Sequence, residues 1–200
     1  MPVVIGHDPS WGGYGYCLAT RRGPVSVGWV SLKGQKDRLA AFLDFERDTL
    51  GPLRAEADLL VAIDGGEGDE QPFEIAEDVL RKHAPKYQGK GGNQAATGFA
   101  LGEISALIRR GAYRPGWLAP WLVPIPTWRA WHRLKGARLN VKVGAIQTVK
   151  YLGYGDLLEP YPDHLHRKRP DTGPKGDVAE AILIAVGAAA RPGLHPSRSK

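Results

Sequence analysis

Val3-Val4-Ile5-Gly6-His7-Asp8-Pro9-Ser10-Trp11-Gly12-Gly13-Tyr14-Gly15-Tyr16 is the stretch on which the fold turns. Its apolar start reads as a short strand that delivers one carboxylate, Asp8, where the strand stops. Pro9 removes a ladder donor and ends the extended run, and Gly12, Gly13 and Gly15 let the chain turn back. Tyr16-Cys17-Leu18-Ala19 then returns beside the first strand as a hairpin. An acid on a rigid strand end beside a glycine turn suits metal or phosphate chemistry. An acid in an ordinary surface turn looks the same. Other acids reaching the same place separate the two.

Outward from the hairpin, Val25 to Leu32 alternates and is rich in β-formers, which predicts a third antiparallel strand. Between Gly34 and Arg54 the period changes: Leu39, Phe42, Leu43, Phe45 and Leu50 fall at helical spacing, and Gly51-Pro52 is expected to break that helix near its end. Asp58-Leu59-Leu60-Val61-Ala62-Ile63-Asp64-Gly65-Gly66 follows. Its unbroken apolar run reads as a central strand buried on both faces, the second strand of a βαβ unit and parallel to the first. Parallel strands end at the same sheet edge, so Asp64 becomes a neighbour of Asp8. Open α/β sheets carry their sites at that edge.

The chain has 200 residues, 42% hydrophobic and 24% charged, which fits one ordinary globular domain. No apolar run approaches the roughly 20 residues of a membrane helix, so no membrane role is expected. The single cysteine, Cys17, excludes an internal disulfide and a multi-cysteine zinc site. A net charge of +6 favours a polyanionic partner, nucleic acid before membrane surface. Together these point to a cytoplasmic protein.

Residues 67–92 are charge-segregated, with Glu67, Asp69, Glu70, Glu74, Glu77 and Asp78 followed by Arg81, Lys82, His83, Lys86 and Lys90. Phe73 to Lys82 reads as a short helix, and the segment from Lys86 to Gly92 as a loop or a nucleic-acid contact. Asn93 can cap a helix running to Arg110, on which Gly98, Gly102 and Ala106 form a small face for a second helix. Leu118 to Thr127 reads as a short strand interrupted by Pro124 and Pro126. From Trp128 to Gly136 aromatics interleave with Arg129, Arg133 and Lys135, either for phosphate contact and base stacking or with the tryptophans packed inward. Val141 to Leu152 is an amphipathic helix. A basic loop with Arg167 and Lys168 precedes a final helix opening at Gly176, and residues 191–200 read as a disordered basic tail.

Asp177 and Glu180 are three apart on that last helix and share a face. With Asp8 and Asp64 they make four carboxylates, and four converging negative charges need cations between them. All-oxygen ligation selects Mg²⁺ or Mn²⁺. Two such ions about 4 Å apart suit phosphodiester hydrolysis, and a basic protein presenting them is a nuclease.

At these residues the sequence resembles the RuvC-type Holliday junction resolvases of the RNase H-like nuclease superfamily. Gly6-His7-Asp8-Pro9-Ser10 with Gly13-Tyr14-Gly15 resembles the family's opening strand. Leu60 to Asp64 resembles its second acidic strand, and Asp177-Val178-Ala179-Glu180-Ala181 its closing helix. Asn93 to Gly102 resembles the helix of its homodimer interface, and Pro126 to Gly136 with Lys142 its basic segment. Three positions depart from the pattern: Ser10 stands for a glycine, Asp64 for a Glu and Glu180 for an Asp.

The resemblance implies an α/β, RNase H-like domain over 1–190. Its centre is a mixed five-stranded sheet, three antiparallel strands and then two parallel ones, flanked by helices. It implies two Mg²⁺ or Mn²⁺ ions per active site on Asp8, Asp64, Asp177 and Glu180. It also implies a homodimer through the helix 93–110 that nicks a four-way DNA junction symmetrically, leaving 5′-phosphate and 3′-hydroxyl ends. DNA contacts are expected from Lys86, Lys90, Arg129, Arg133, Lys135, Arg138, Lys142, Arg167 and Lys168, with Phe73 or Tyr87 as the junction wedge. The alternatives are an RNase H-like nuclease of RNA–DNA hybrid or RNA, a non-catalytic nucleic-acid binder of the same fold, and an actin-like ATPase, which needs a duplicated fold.

Overall fold

The computed structural model describes residues 2–9, 13–32, 37–63, 71–78, 114–134, 138–162 and 173–196. β1 (Val3–Pro9) pairs antiparallel with β2 (Gly13–Thr20), and β2 pairs antiparallel with β3 (Gly23–Ser31). On the other side β1 pairs parallel with β4 (Phe73–Glu77), which pairs parallel with β5 (Trp121–Val123). The sheet order β3-β2-β1-β4-β5 is the mixed five-stranded arrangement expected, antiparallel then parallel, with the opening strand at its centre.

The parallel partner of β1 is not the expected one. Residues 58–63 end helix α2 (Gly51–Ile63). Leu53 and Ala57 of this helix are buried, while Leu59 is 62% and Ile63 81% exposed. A short apolar run of Leu, Ala, Val and Ile suits either geometry, and here the buried positions are spaced for a helix. The predicted break at Gly51-Pro52 does not occur either. Helix α1 (Arg38–Phe45), capped by the Asp37 carboxylate accepting from the Ala40 amide at 2.9 Å, runs into a π-helical turn at Glu46–Leu50. There the Gly51 amide donates to the Glu46 carbonyl, five residues back, and Pro52 enters the first turn of α2, where a missing N–H costs little.

Residues 73–77, expected to open a helix, form β4 instead, buried at every position. Only residues 121–123 of the expected strand 118–127 pair in the sheet. Helix α3 (Ile125–Trp131) starts directly after, with Pro126 in its first turn. Helix α4 (Arg138–Tyr151) and the final helix α5 (Pro174–Ala189) follow the sequence reading, each beginning a few residues earlier.

Alternation along β1 and β4 divides the side chains between two cores. Val4, Phe73 and Ile75 face α5, α3 and α4, while Val3, Ile5 and Ala76 face α1 and α2. Every residue of α5 except Lys175 and Val186 is buried. Its backbone lies so close to β1 that a Cβ on Gly6 would stand 2.7 Å from the Ala185 nitrogen.

The opposite core holds a buried charge network. Arg54 of α2 reaches Glu74 of β4 at 2.5 Å and Glu46 at 3.0 Å, and the His7 Nε2 lies 3.0 Å from Glu74. Two residues expected in a disordered tail are anchored: Arg191 donates to the Gly187 carbonyl at 3.1 Å, and His195, buried, lies 2.9 Å from the Ala119 carbonyl, while Gly193, Leu194 and Pro196 are exposed. Among the described residues no helix is long and apolar enough to cross a membrane.

Candidate metal centre

Asp8 and Glu77 sit at the C-terminal ends of the parallel strands β1 and β4, both on the α5 side of the sheet. Glu180 comes from α5, two turns in, and Asp177 from its first turn. One carboxylate oxygen each from Asp8, Glu77 and Glu180 lies within 4.8 Å of the others, and all three residues are buried. Gly15, paired with Asp8 across the hairpin, is what admits the helix start: a Cβ there would stand 2.5 Å from the Asp177 carbonyl oxygen. Gly15 of β2 is therefore a seat for α5.

Lys142 of α4 brings its ammonium into the same cluster. Its Nζ donates to the Asp177 Oδ1 and stands 3.4 Å from Glu180 Oε2 and 3.9 Å from Asp8 Oδ2. Burial opposes the ammonium, yet the charges of Glu180, Asp8 and Asp177 outweigh it and hold the Lys142 pKa above the ordinary lysine value. Burial pushes the Asp8 carboxyl well above the usual range, and the charge of Glu180 adds to it more than Lys142 offsets. Burial also raises the Asp177 carboxyl, against the pull of Lys142 and Trp29.

Indole N–H groups hold two of the acids. Trp29 Nε1, on β3, donates to Asp177 Oδ2 at 3.1 Å, and Trp128 Nε1, on α3, donates to Glu77 Oε2 at 3.2 Å. Arg129 stacks its guanidinium 5.5 Å from the Trp128 ring and reaches within 3.7 Å of Glu180 Oε1. Of the two readings of this aromatic–basic segment, Trp128 follows the inward one, being fully buried, and Arg129 faces the acid cluster.

Three of the four predicted acids are thus brought together, and Lys142 with them. Asp64 lies outside the described residues, and the strand that was to end on it is helical as far as Ile63. Glu77 stands at the end of the strand that pairs parallel with β1. Sequence reasoning misses it because the charge-segregated segment reads as a helix. The available signal was the alternation Phe73-Glu74-Ile75-Ala76-Glu77, which ends on an acid as β1 nearly does. Phe73, expected as a junction wedge, is corrected: it is 1% exposed in the core, edge-on to His195 at 4.7 Å between ring centroids. Arg133 is exposed with a left-handed backbone (φ 56°), and Arg138 opens α4. Lys86, Tyr87, Lys90, Lys135, Arg167, Lys168 and the helix expected over 93–110 lie outside the described residues.

The donor set fits a hard divalent cation. It is all carboxylate oxygen. Asp8 Oδ2 and Glu180 Oε1 are buried with no hydrogen-bond partner among the described residues, a costly state that a bound cation relieves.

No protein-family model matches the sequence, and no curated protein matches it. Among solved structures the chain is similar to T. thermophilus RuvC in complex with Holliday junction substrate, with a TM-score of 0.50 and 14% identity over 98% of this chain and 97% of that one. A second Thermus thermophilus RuvC structure aligns with a TM-score of 0.46 and 16% identity over 96% of both chains. The mixed sheet with its flanking helices is thus an RNase H-like fold. Within that class the fold is of the RuvC type.

Proposed function

We propose that the protein is a metal-dependent endonuclease that resolves four-way DNA junctions. The observation that carries this is the convergence of Asp8, Glu77 and Glu180 at the C-terminal edge of the parallel strands, in a chain whose fold is of the RuvC type. One solved neighbour of that fold is bound to a Holliday junction substrate. The net charge of +6 suits a polyanionic substrate despite the buried acids.

In this reading Asp8, Glu77, Asp177 and Glu180 hold Mg²⁺ or Mn²⁺, two ions per site. When bound, such ions lower the pKa of water and stabilise the oxygens of a phosphodiester undergoing in-line displacement. The chain's own residues do the rest. Asp8, central in the sheet, orients toward both Glu77 and Glu180. Arg129, beside Glu180, is placed to meet the scissile phosphate, and Lys142, buried within the cluster, offsets the charge of the acids. The products carry 5′-phosphate and 3′-hydroxyl ends. A homodimer through 93–110 presents two such sites related by a two-fold axis, which matches the symmetry of a four-way junction. The nuclease domain, expected over 1–190, takes in His195 as well, whose ring packs on Phe73 and Trp121.

The test incubates the protein with Mg²⁺ or Mn²⁺ and a synthetic four-way junction, a linear duplex, a single strand and an RNA–DNA hybrid. Symmetric nicks confined to the junction are expected, and Asp8→Asn is expected to bind the junction without cutting it. Equal cutting of the hybrid would move the protein to the RNase H-like alternative. Binding without cutting by the wild type would make it a non-catalytic member of the fold.

A further inference from the structure

We propose that Trp29 and Trp128 are positioning residues of the metal centre, each indole N–H fixing one oxygen of an acid of the cluster and with it the orientation of that carboxylate; the other oxygen of Asp177 accepts from Lys142 and meets a cation only as that ammonium yields. The proposal rests on the metal-dependent reading above and extends it to residues that touch no metal. Two tryptophans from distant elements, β3 and α3, aim their only polar atom at two acids of one cluster, Asp177 at 3.1 Å and Glu77 at 3.2 Å. An indole donates and never accepts, and it does not titrate near neutral pH. It can therefore neither ligate the cation nor change state when the cation arrives, which a His, Ser or Asn in its place could do.

Both seats are built for the ring. Trp29 lies across Gly13, where any Cβ would overlap the indole, and its backbone pairs with Gly15 on the strand that receives α5. The two glycines of Gly13-Tyr14-Gly15 thus make room for a carboxylate's helix and for the donor that orients it. Trp128 is fully buried, and its neighbour Arg129 covers the ring while reaching for Glu180. The dipeptide Trp128-Arg129 accordingly addresses two acids at once. Partners that orient metal ligands in this way typically change metal affinity about 10–100-fold when removed.

Mn²⁺ binding to the full chain, measured by titration calorimetry, tests this with Trp29→Phe and Trp128→Phe, which keep an aromatic ring and delete the donor. Trp117→Phe is the control, because it removes an indole–carboxylate bond of 2.6 Å to Asp58 away from the centre. The expected result is a loss of Mn²⁺ affinity of about 10–100-fold in the first two and none in the third. A purely structural role would lower the melting temperature of the metal-free protein without moving the affinity. Unchanged affinity in folded Trp29→Phe would overturn the proposal even if Trp128→Phe fails to fold. If wild type and Asp8→Asn alike bind no Mn²⁺, the metal reading itself falls, and this proposal with it. If Asp8→Asn loses Mn²⁺ and the indole variants do not, only the proposal fails.

Discussion

Glu77 and Lys142 are the residues whose roles can be read most directly from the cluster. Glu77→Gln keeps the Trp128 bond available to an amide oxygen but removes a charge that neighbours Asp8 and Glu180. It is expected to reduce junction cleavage by two or more orders of magnitude, while Asp64→Asn leaves cleavage much nearer to wild type. Side-by-side initial rates in Mg²⁺ check this, and the reverse ranking would restore Asp64 to the site. Lys142→Met leaves three buried carboxylates without their ammonium. Breaking one partner out of a buried charge cluster costs about 3–5 kcal/mol, so the metal-free variant should melt well below wild type. Mn²⁺ then does for the variant what the ammonium no longer does. The rise in melting temperature on adding Mn²⁺ is therefore expected to be larger in Lys142→Met than in wild type. An equal rise would mean that the ammonium and the cation do not share the cluster.

At the scale of elements, β1, β2, β3 and α5 are legible from sequence because their signals are local. Alternation, the Pro9 stop and the glycines of the hairpin lie within a few residues of one another, and the acids of α5 share one face. The second parallel strand is not, because what permits it is remote. Phe73-Glu74-Ile75-Ala76-Glu77 buries two glutamates, and Glu74 is tolerable only because Arg54 and His7, from α2 and β1, meet it in the core. No window around residue 74 contains those partners, so the pattern resembles an exposed helix. The site was legible to the same extent: Asp8, Asp177, Glu180 and Lys142 could be found by motif, whereas Glu77 and the two indole donors depend on which strand lies beside β1.

The charge network that admits β4 has its own signature. Burial pushes the Glu74 carboxyl up, but hydrogen bonds and charges from His7 and Arg54 outweigh it and leave its pKa below the ordinary value. A depressed carboxyl contributes stability that is present above its unfolded pKa and is lost as pH falls through the folded one. Asp8 and Asp177, whose carboxyls are raised, act in the opposite sense, so the comparison must be with Glu74→Gln. That variant should be less stable at neutral pH, and the gap to wild type should close as the solution is acidified below about pH 4. Denaturant unfolding at a series of pH values measures it, and a constant gap would contradict the role given to Glu74. Gly15→Ala tests the neighbouring contact, since its methyl would overlap the Asp177 backbone. A destabilisation of about 1–3 kcal/mol is expected from such overpacking, with weakened Mn²⁺ binding because the start of α5 moves away from β1.

For the molecule as a whole, the net charge is +6 although Asp8, Glu77, Asp177 and Glu180 are buried at one sheet edge. Junction binding should therefore be strongly salt-dependent even where cleavage is metal-dependent. If six or more phosphates are neutralised, affinity is expected to fall about 10³-fold or more between 50 and 200 mM salt. Binding of Asp8→Asn to a junction across that range, without divalent cations, gives the slope, and a flat response would exclude a phosphate-dominated interface.

Helix α5 carries both Asp177 and Glu180 and also fills the space between the sheet and α4. During synthesis, Asp8 and Glu77 leave the ribosome long before either of those acids. The piece that completes the packing and the piece that completes the carboxylate centre are thus the same, and they emerge late. A chain without this helix would carry half of these acids and no finished core. Completion of the core and completion of the carboxylate centre thus depend on the same helix.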